Sequence, residues 1–296
     1  MYGVFRLIDK ALVTEVTVEL LKRAAVRIPT SVKEALHRAW ENEEDELARR
    51  QLETILENIS LAEAKGVPVC QDTGLPIFYV KAGGSCHEAC TVAEGIAEGT
   101  AKATKQVPLR ENVIHPLSKL NPGLNVGWGM PFIYFEPSTK NFVEITVLLK
   151  GFGSEAKTSL AYIPTSEDVE KGIIKYVLDQ VEKALGEPCP PYILGLGIGG
   201  TSDIAAALAK KAFMRLPPGK PNPDPEAAKL EDKLLKAVNE TRVGPMGVGG
   251  RTTALAVHVE LCGTHTAAVP VVLAFQCWAD RQATVKITSE GKVSYS

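Results

Sequence analysis

The chain has 296 residues, with 33 Lys or Arg against 35 Asp or Glu and a formal charge of -2. That balance lacks the basic footprint that phosphate backbones require, so nucleic acid is not an expected partner. Met1–Lys10 has no apolar core for a signal peptide, and the longest apolar stretch, near Ala267–Phe275, is far short of a membrane span, so a cytoplasmic chain is expected.

In chain order, Leu12–Ala25 has apolar positions on one helical side, although Val16, Val18 and Leu20 also admit a strand. Thr30-Ser31 offers a cap for a long amphipathic run, Val32–Ala64, ended by Gly66, which gives an N-terminal helical region over 12–64. Short strands are expected at Val67–Cys70 and Leu75–Val80 around an Asp72-Thr73-Gly74 turn. Thr91–Lys102 reads as a helix, Arg110–Gly129 as a structured loop, and Phe132–Phe135 and Val143–Leu149 as strands. A helix over Glu167–Leu185, a strand at Tyr192–Leu194 and a helix over Asp203–Phe213 follow. The Pro-rich connector Leu216–Pro225 leads to Glu226–Glu240, and strands are expected at Ala254–Glu260, Val269–Phe275, Thr284–Ile287 and Val293–Tyr295. With no internal repeat or evident linker, one mixed α/β domain over 1–296 is the simplest architecture.

Two glycine runs stand out, Gly195–Gly200 and Gly244–Gly250. Gly195-Leu196-Gly197-Ile198-Gly199-Gly200 carries the GxGxxG spacing, but a Pro-rich segment stands where a Rossmann fold needs its next strand and acidic residue. No Gly-Lys-Ser or Gly-Lys-Thr follows either run, which excludes a P-loop. Close backbone approach is a better role for these glycines than cofactor binding, and simple tight turns are equally open for either run.

Cys70, Cys86, Cys90, Cys189, Cys262 and Cys277 form no CxxC pair and no ferredoxin run. In a reducing compartment a disulfide framework is not expected, so burial, thiolate chemistry or metal ligation are the readings open to them. Cys86-His87-Glu88-Ala89-Cys90 with Cys262 and His265 offers zinc-ligand chemistry, but not at a recognised zinc spacing.

Taken in order, Val69-Cys70-Gln71-Asp72-Thr73-Gly74, Lys150-Gly151-Phe152-Gly153-Ser154-Glu155, Gly195–Asp203, Gly244–Thr253 and His265–Arg281 resemble the class I, iron–sulfur fumarases and the related tartrate dehydratases. The resemblance covers the cluster-binding domain of fused members, or their separate α subunit. It implies a [4Fe-4S] cluster held by Cys70, Cys189 and Cys277, with one iron open to substrate. It places Asp72 and His265 in the acid–base apparatus, and Gln71, Arg110 and Gly153 at the substrate. Those residue types suit the work: an imidazole titrates near neutrality, and a guanidinium fork matches a carboxylate.

The implied reaction is reversible hydration of fumarate to (S)-malate, with dehydration of L-tartrate to oxaloacetate as the alternative. A metal-binding scaffold without turnover and a nicotinamide-dependent dehydrogenase are the rival classes. In fused relatives a second domain follows; here the sequence given ends at Ser296, soon after Cys277-Trp278-Ala279-Asp280-Arg281. A separate β subunit, in an α₂β₂ assembly, is therefore expected to close the pocket on a small dicarboxylate.

Overall fold

The computed structural model describes residues 9–83, 86–140 and 142–296. Its contacts divide it into two compact units, each assembled from separated stretches of chain. The first comprises 1–29, 59–150 and 281–296, and the second 30–58 and 151–280.

The first unit holds a five-stranded sheet in the order β2-β1-β3-β8-β9, from β1 (Leu75–Ala82), β2 (Phe132–Pro137), β3 (Phe142–Lys150), β8 (Gln282–Thr288) and β9 (Val293–Tyr295). Only β1 and β2 run parallel; the other pairs are antiparallel. Helices α1 (Lys10–Val26) and α4 (Cys86–Gln106) pack together, and Val13, Leu20, Val92 and Ile96 join Phe78, Ile145, Val147 and Val285 in one buried core. Asp9 caps α1 by accepting from the Ala11 amide at 3.1 Å, which resolves the ambiguous Val16–Leu20 stretch as helix. The strand expected at Val67–Cys70 does not form. Its Val69 amide donates instead to Ala25 O, in the last turn of α1, at 3.0 Å.

The long run 32–64 is two helices, α2 (Thr30–Glu41) and α3 (Glu46–Lys65). The break follows from its side chains: Asn42 donates back to Arg38 O, Glu43 accepts from the amides of Glu44 and Asp45, and Asp45 accepts from Ala48 N. Short polar groups that satisfy nearby amides compete with helix continuation. Residues up to Asn58 in α3 belong to the second unit and those from Ile59 to the first.

The second unit holds a four-stranded sheet, β4-β7-β5-β6, from β4 (Ser159–Pro164), β5 (Tyr192–Ile198), β6 (Ala254–Leu261) and β7 (Ala268–Gln276). Here β5 pairs in parallel with β6 and antiparallel with β7. Leu194 and Leu196 face a core shared with α6 (Val169–Ala184) and α8 (Pro225–Glu240), while Gly195 and Gly197 face α7 (Ser202–Ala212) on the opposite side. A Cβ at Gly197 would lie 1.9 Å from Ala205 O, and one at Gly195 would lie 2.1 Å from Ala209 O. The GxGxxG run therefore serves close seating of a helix on its own sheet. The mixed α/β, non-Rossmann class holds. The edge strand β4 and the short helix α5 (Phe152–Glu155) escape sequence reading: both are brief, and β4 alternates half-exposed with exposed residues over most of its length.

Candidate active site

In the first unit, Cys70, Gln71, Asp72 and Arg110 all lie on irregular chain, so side-chain hydrogen bonds must define their positions. Cys70 and Asp72 are half-buried, and Gln71 and Arg110 are exposed. Asp72 Oδ1 accepts from Gly74 N at 2.9 Å and from Asn112 Nδ2 at 3.1 Å. Buried Arg281 donates to the Asp72 carbonyl. Gly74 has φ +81°, and a Cβ there would come within 2.8 Å of the Leu149 and Lys150 backbone. The Asp–Thr–Gly turn is thereby pressed onto the end of β3. Arg110 is joined to that turn through its amide, which donates to Thr73 Oγ1 at 2.9 Å.

In the second unit, Cys189 and Cys277 come from segments far apart in sequence. Trp278 N donates to Cys189 O at 3.1 Å, tying the two thiol-bearing loops together. Cys189 sits at φ +56° inside Pro188-Cys189-Pro190-Pro191, and Cys277 follows the last residue of β7. Gln276 and Asp280, both buried, clasp the Cys277 turn through a 3.2 Å bond from Nε2 to Oδ1. The second glycine run backs the Cys189 loop. Met246 N donates to Pro190 O at 2.8 Å, and a Cβ on Gly247 would stand 2.6 Å from Gly186 Cα. Thr253 belongs to this framework: its buried hydroxyl accepts from Gly244 N at 3.0 Å.

His265 lies on an exposed loop after β6. Its Nδ1 is 3.1 Å from the Ala267 amide, which can only donate, so the neutral ring carries its proton on Nε2. That tautomer presents an N–H to solvent as a hydrogen-bond donor. Thr165 anchors the loop from the end of β4 by donating through its hydroxyl to Thr266 O. Gly153 lies exposed in the first turn of α5, and a Cβ there would meet nothing closer than Glu187 O at 3.7 Å. Packing does not demand glycine at that position. Glu155 on the same turn is held by Lys210 Nζ at 2.5 Å.

Cys70, Cys189 and Cys277 are half-buried, and all three sit on loops, a donor set suited to soft iron. Among the described residues no group of three or more His, Cys, Asp or Glu side chains converges on a single metal ion. The rival zinc arrangement gains nothing: Cys90 is exposed on α4, Cys262 is exposed after β6, and the side chains of Cys86, His87 and Glu88 lie outside the described ones. Sequence reasoning gave no role to Asn112 or Asn125, nor to Gln276, Asp280 and Arg281 within its His265–Arg281 segment. The signal for the first two was the Asn/Pro/Gly spacing of the Arg110–Gly129 loop.

The family model for fumarate hydratase (Fumerase) matches residues 14–286. The chain belongs to the Fumerase family. Among curated relatives, "Putative L(+)-tartrate dehydratase subunit alpha" of Methanocaldococcus jannaschii is 44% identical over 285 residues, covering 95% of this chain and 99% of that one. L(+)-tartrate dehydratase subunit alpha of Escherichia coli K12 is 29% identical over 278 residues, covering 94% and 91%. The corresponding Shigella sonnei protein has the same identity and coverage. Membership of the Fumerase family makes this a hydro-lyase chain of the fumarase and tartrate dehydratase group. Among the described residues no helix is long and apolar enough to cross a membrane.

Proposed function

We propose that this chain is the α subunit of an iron–sulfur hydro-lyase that dehydrates L-tartrate to oxaloacetate. The observation that carries the substrate is the 44% identity, over nearly the full length of both chains, to a relative named for L(+)-tartrate dehydratase. This reverses the order of substrates expected from motifs alone, where fumarate came first. Fumarate stays as the second reading because the matching family model bears the fumarate hydratase description. The two dicarboxylates differ in hydroxylation, which pocket geometry must discriminate.

Cys70, Cys189 and Cys277 would hold a [4Fe-4S] cluster, which when bound supplies a Lewis-acidic iron for the substrate hydroxyl. Arg110 would grip one substrate carboxylate through its planar fork. Gln71, exposed beside Asp72, would hydrogen-bond the same end of the substrate, and Gly153 leaves its backbone open to close approach. His265 would take up a proton and pass one from Nε2 to the departing hydroxyl, forming water and leaving a neutral ring, as a base takes the proton on the neighbouring carbon. Asp72 would support this proton transfer electrostatically. The resulting enol becomes oxaloacetate by tautomerisation. The relatives' names as α subunits support a separate β subunit, which would supply the base and close the site in an α₂β₂ assembly.

The test is anaerobic reconstitution with the partner, iron analysis, and side-by-side turnover of L-tartrate, D-tartrate, meso-tartrate and fumarate. Preferential release of oxaloacetate from L-tartrate is expected. Full activity in iron-free protein, or a clear preference for fumarate, would reject this reading or its substrate respectively.

A further inference from the structure

Arg110 sits in a loop with neither helix nor strand to hold it, yet both of its main-chain polar groups are engaged by buried side chains. Thr73 Oγ1 accepts its N–H at 2.9 Å, and Asn125 Nδ2 donates to its C=O at 2.9 Å. Asn125 is 2% exposed and uses its whole amide on this region. Its Oδ1 accepts from Asn112 N at 2.8 Å and from Val113 N at 3.2 Å, while Nδ2 also reaches Thr104 Oγ1 on α4 at 3.3 Å. One side chain thus fixes the backbone of Arg110, Asn112 and Val113 and ties it to a helix. Its own backbone, at φ +53°, lies in the left-handed region that Asn tolerates better than most residues.

We infer that Asn125 is a positioning residue for Arg110, setting where the guanidinium meets a substrate carboxylate. The inference rests on the reading of Arg110 as the dicarboxylate-binding arginine. Asn112, placed by the same amide, donates to Asp72 Oδ1 and to Gly74 O, each at 3.1 Å, so the Arg110 loop and the Asp72 turn are held as one piece. Two similar-sized polar amides therefore join the carboxylate-binding arm to the acid–base arm.

The deciding experiment compares the reconstituted complex, with its partner subunit, as wild type, N125D, R110A and the double variant. N125D keeps the two acceptor contacts to Asn112 N and Val113 N but sets a carboxylate oxygen against the Arg110 carbonyl. KM for L-tartrate is expected to rise about 10- to 100-fold in N125D, with kcat much less affected, because misplacing a binding arm weakens ground and transition states alike. In the R110A background N125D should add little, since both act through one contact. Equal effects of N125D with and without Arg110, or a fall in Tm with KM intact, would overturn the inference. N125G supplies an arm independent of turnover: glycine keeps the backbone conformation and deletes all four bonds. Amide exchange at Val113 should accelerate at least about tenfold, and unchanged protection there counts against the clasp; Asn112 N keeps its 2.9 Å bond to Arg110 O and is the less sensitive reporter. If wild type turns over neither L-tartrate nor fumarate, the functional reading fails, while N125G exchange still decides whether Asn125 fixes this loop.

Discussion

Arg281 donates from Nη1 to the main-chain carbonyl of Asp72, across 209 positions of sequence, and only 2% of the arginine is exposed. The same residue accepts from Leu149 N at 2.9 Å through its own carbonyl, so it joins the Asp–Thr–Gly turn to the end of β3. Its Nε has no hydrogen-bond partner among the described residues, an energetic cost accepted at a residue whose other nitrogen holds the turn. Arg281→Met keeps the bulk and removes the donor. It should cost about 1–3 kcal/mol of stability, measured by urea unfolding, and loosen the Asp72 turn. Unaltered unfolding together with unaltered exchange at Gly74 N would show that the contact does no such work.

Thiol substitutions should sort into two groups. Cys70→Ser, Cys189→Ser and Cys277→Ser should each lower iron retained after anaerobic reconstitution and abolish most turnover. Cys90→Ser and Cys262→Ser, both exposed, should leave iron and rate near wild type. Iron loss on replacing Cys262, with full retention on replacing Cys189, would overturn the ligand assignment.

His258 predicts a defined pH dependence of stability. It is buried, places Nδ1 3.1 Å from Ala212 O, and accepts from Gly219 N at Nε2 at 3.1 Å. Since Gly219 N can only donate, Nδ1 carries the proton and donates to the Ala212 carbonyl. Burial first, and then the charge of Arg215, lowers its pKa from 6.5 to about 4. The unfolded chain therefore binds the proton more readily. This contribution is fully present above pH 6.5 and is lost as the pH falls toward about 4, amounting to roughly 3 kcal/mol at most. The slope of unfolding free energy between these values should flatten in His258→Asn. An identical slope in both proteins would assign the acid sensitivity elsewhere.

Two glycines should respond oppositely to alanine. In Gly197→Ala the new methyl collides with Ala205 O, lifting α7 from the sheet at a cost of about 2–4 kcal/mol. Gly153→Ala meets only ordinary contact and should change stability by less than about 0.5 kcal/mol, while impairing turnover by crowding the proposed substrate position. Thermal unfolding alongside tartrate kinetics separates the two. A stable Gly197→Ala protein would refute the seating of α7, and unimpaired Gly153→Ala kinetics would remove Gly153 from the site.

Local chemistry made much of this protein legible without coordinates. Asp224-Pro225 starts α8 because an Asp side chain accepts the first free amides and proline needs none; the valine-rich strands β3, β6 and β7 follow from patterning within their own segments. The motif set around Cys70, Cys189, His265 and Cys277 likewise identified the family from sequence order alone. What remained hidden depends on partners distant in the chain. Val67–Cys70 has strand-like composition, but its Val69 amide is taken by Ala25 O. The GxGxxG run is compatible with several ligands until Ala205 O is found against Gly197. The interleaving of two compact units from alternating segments leaves no linker to read. Asn125 and Arg281 look like ordinary polar residues in sequence, because their weight comes from burial against Arg110 and Asp72, and burial is decided by the tertiary structure.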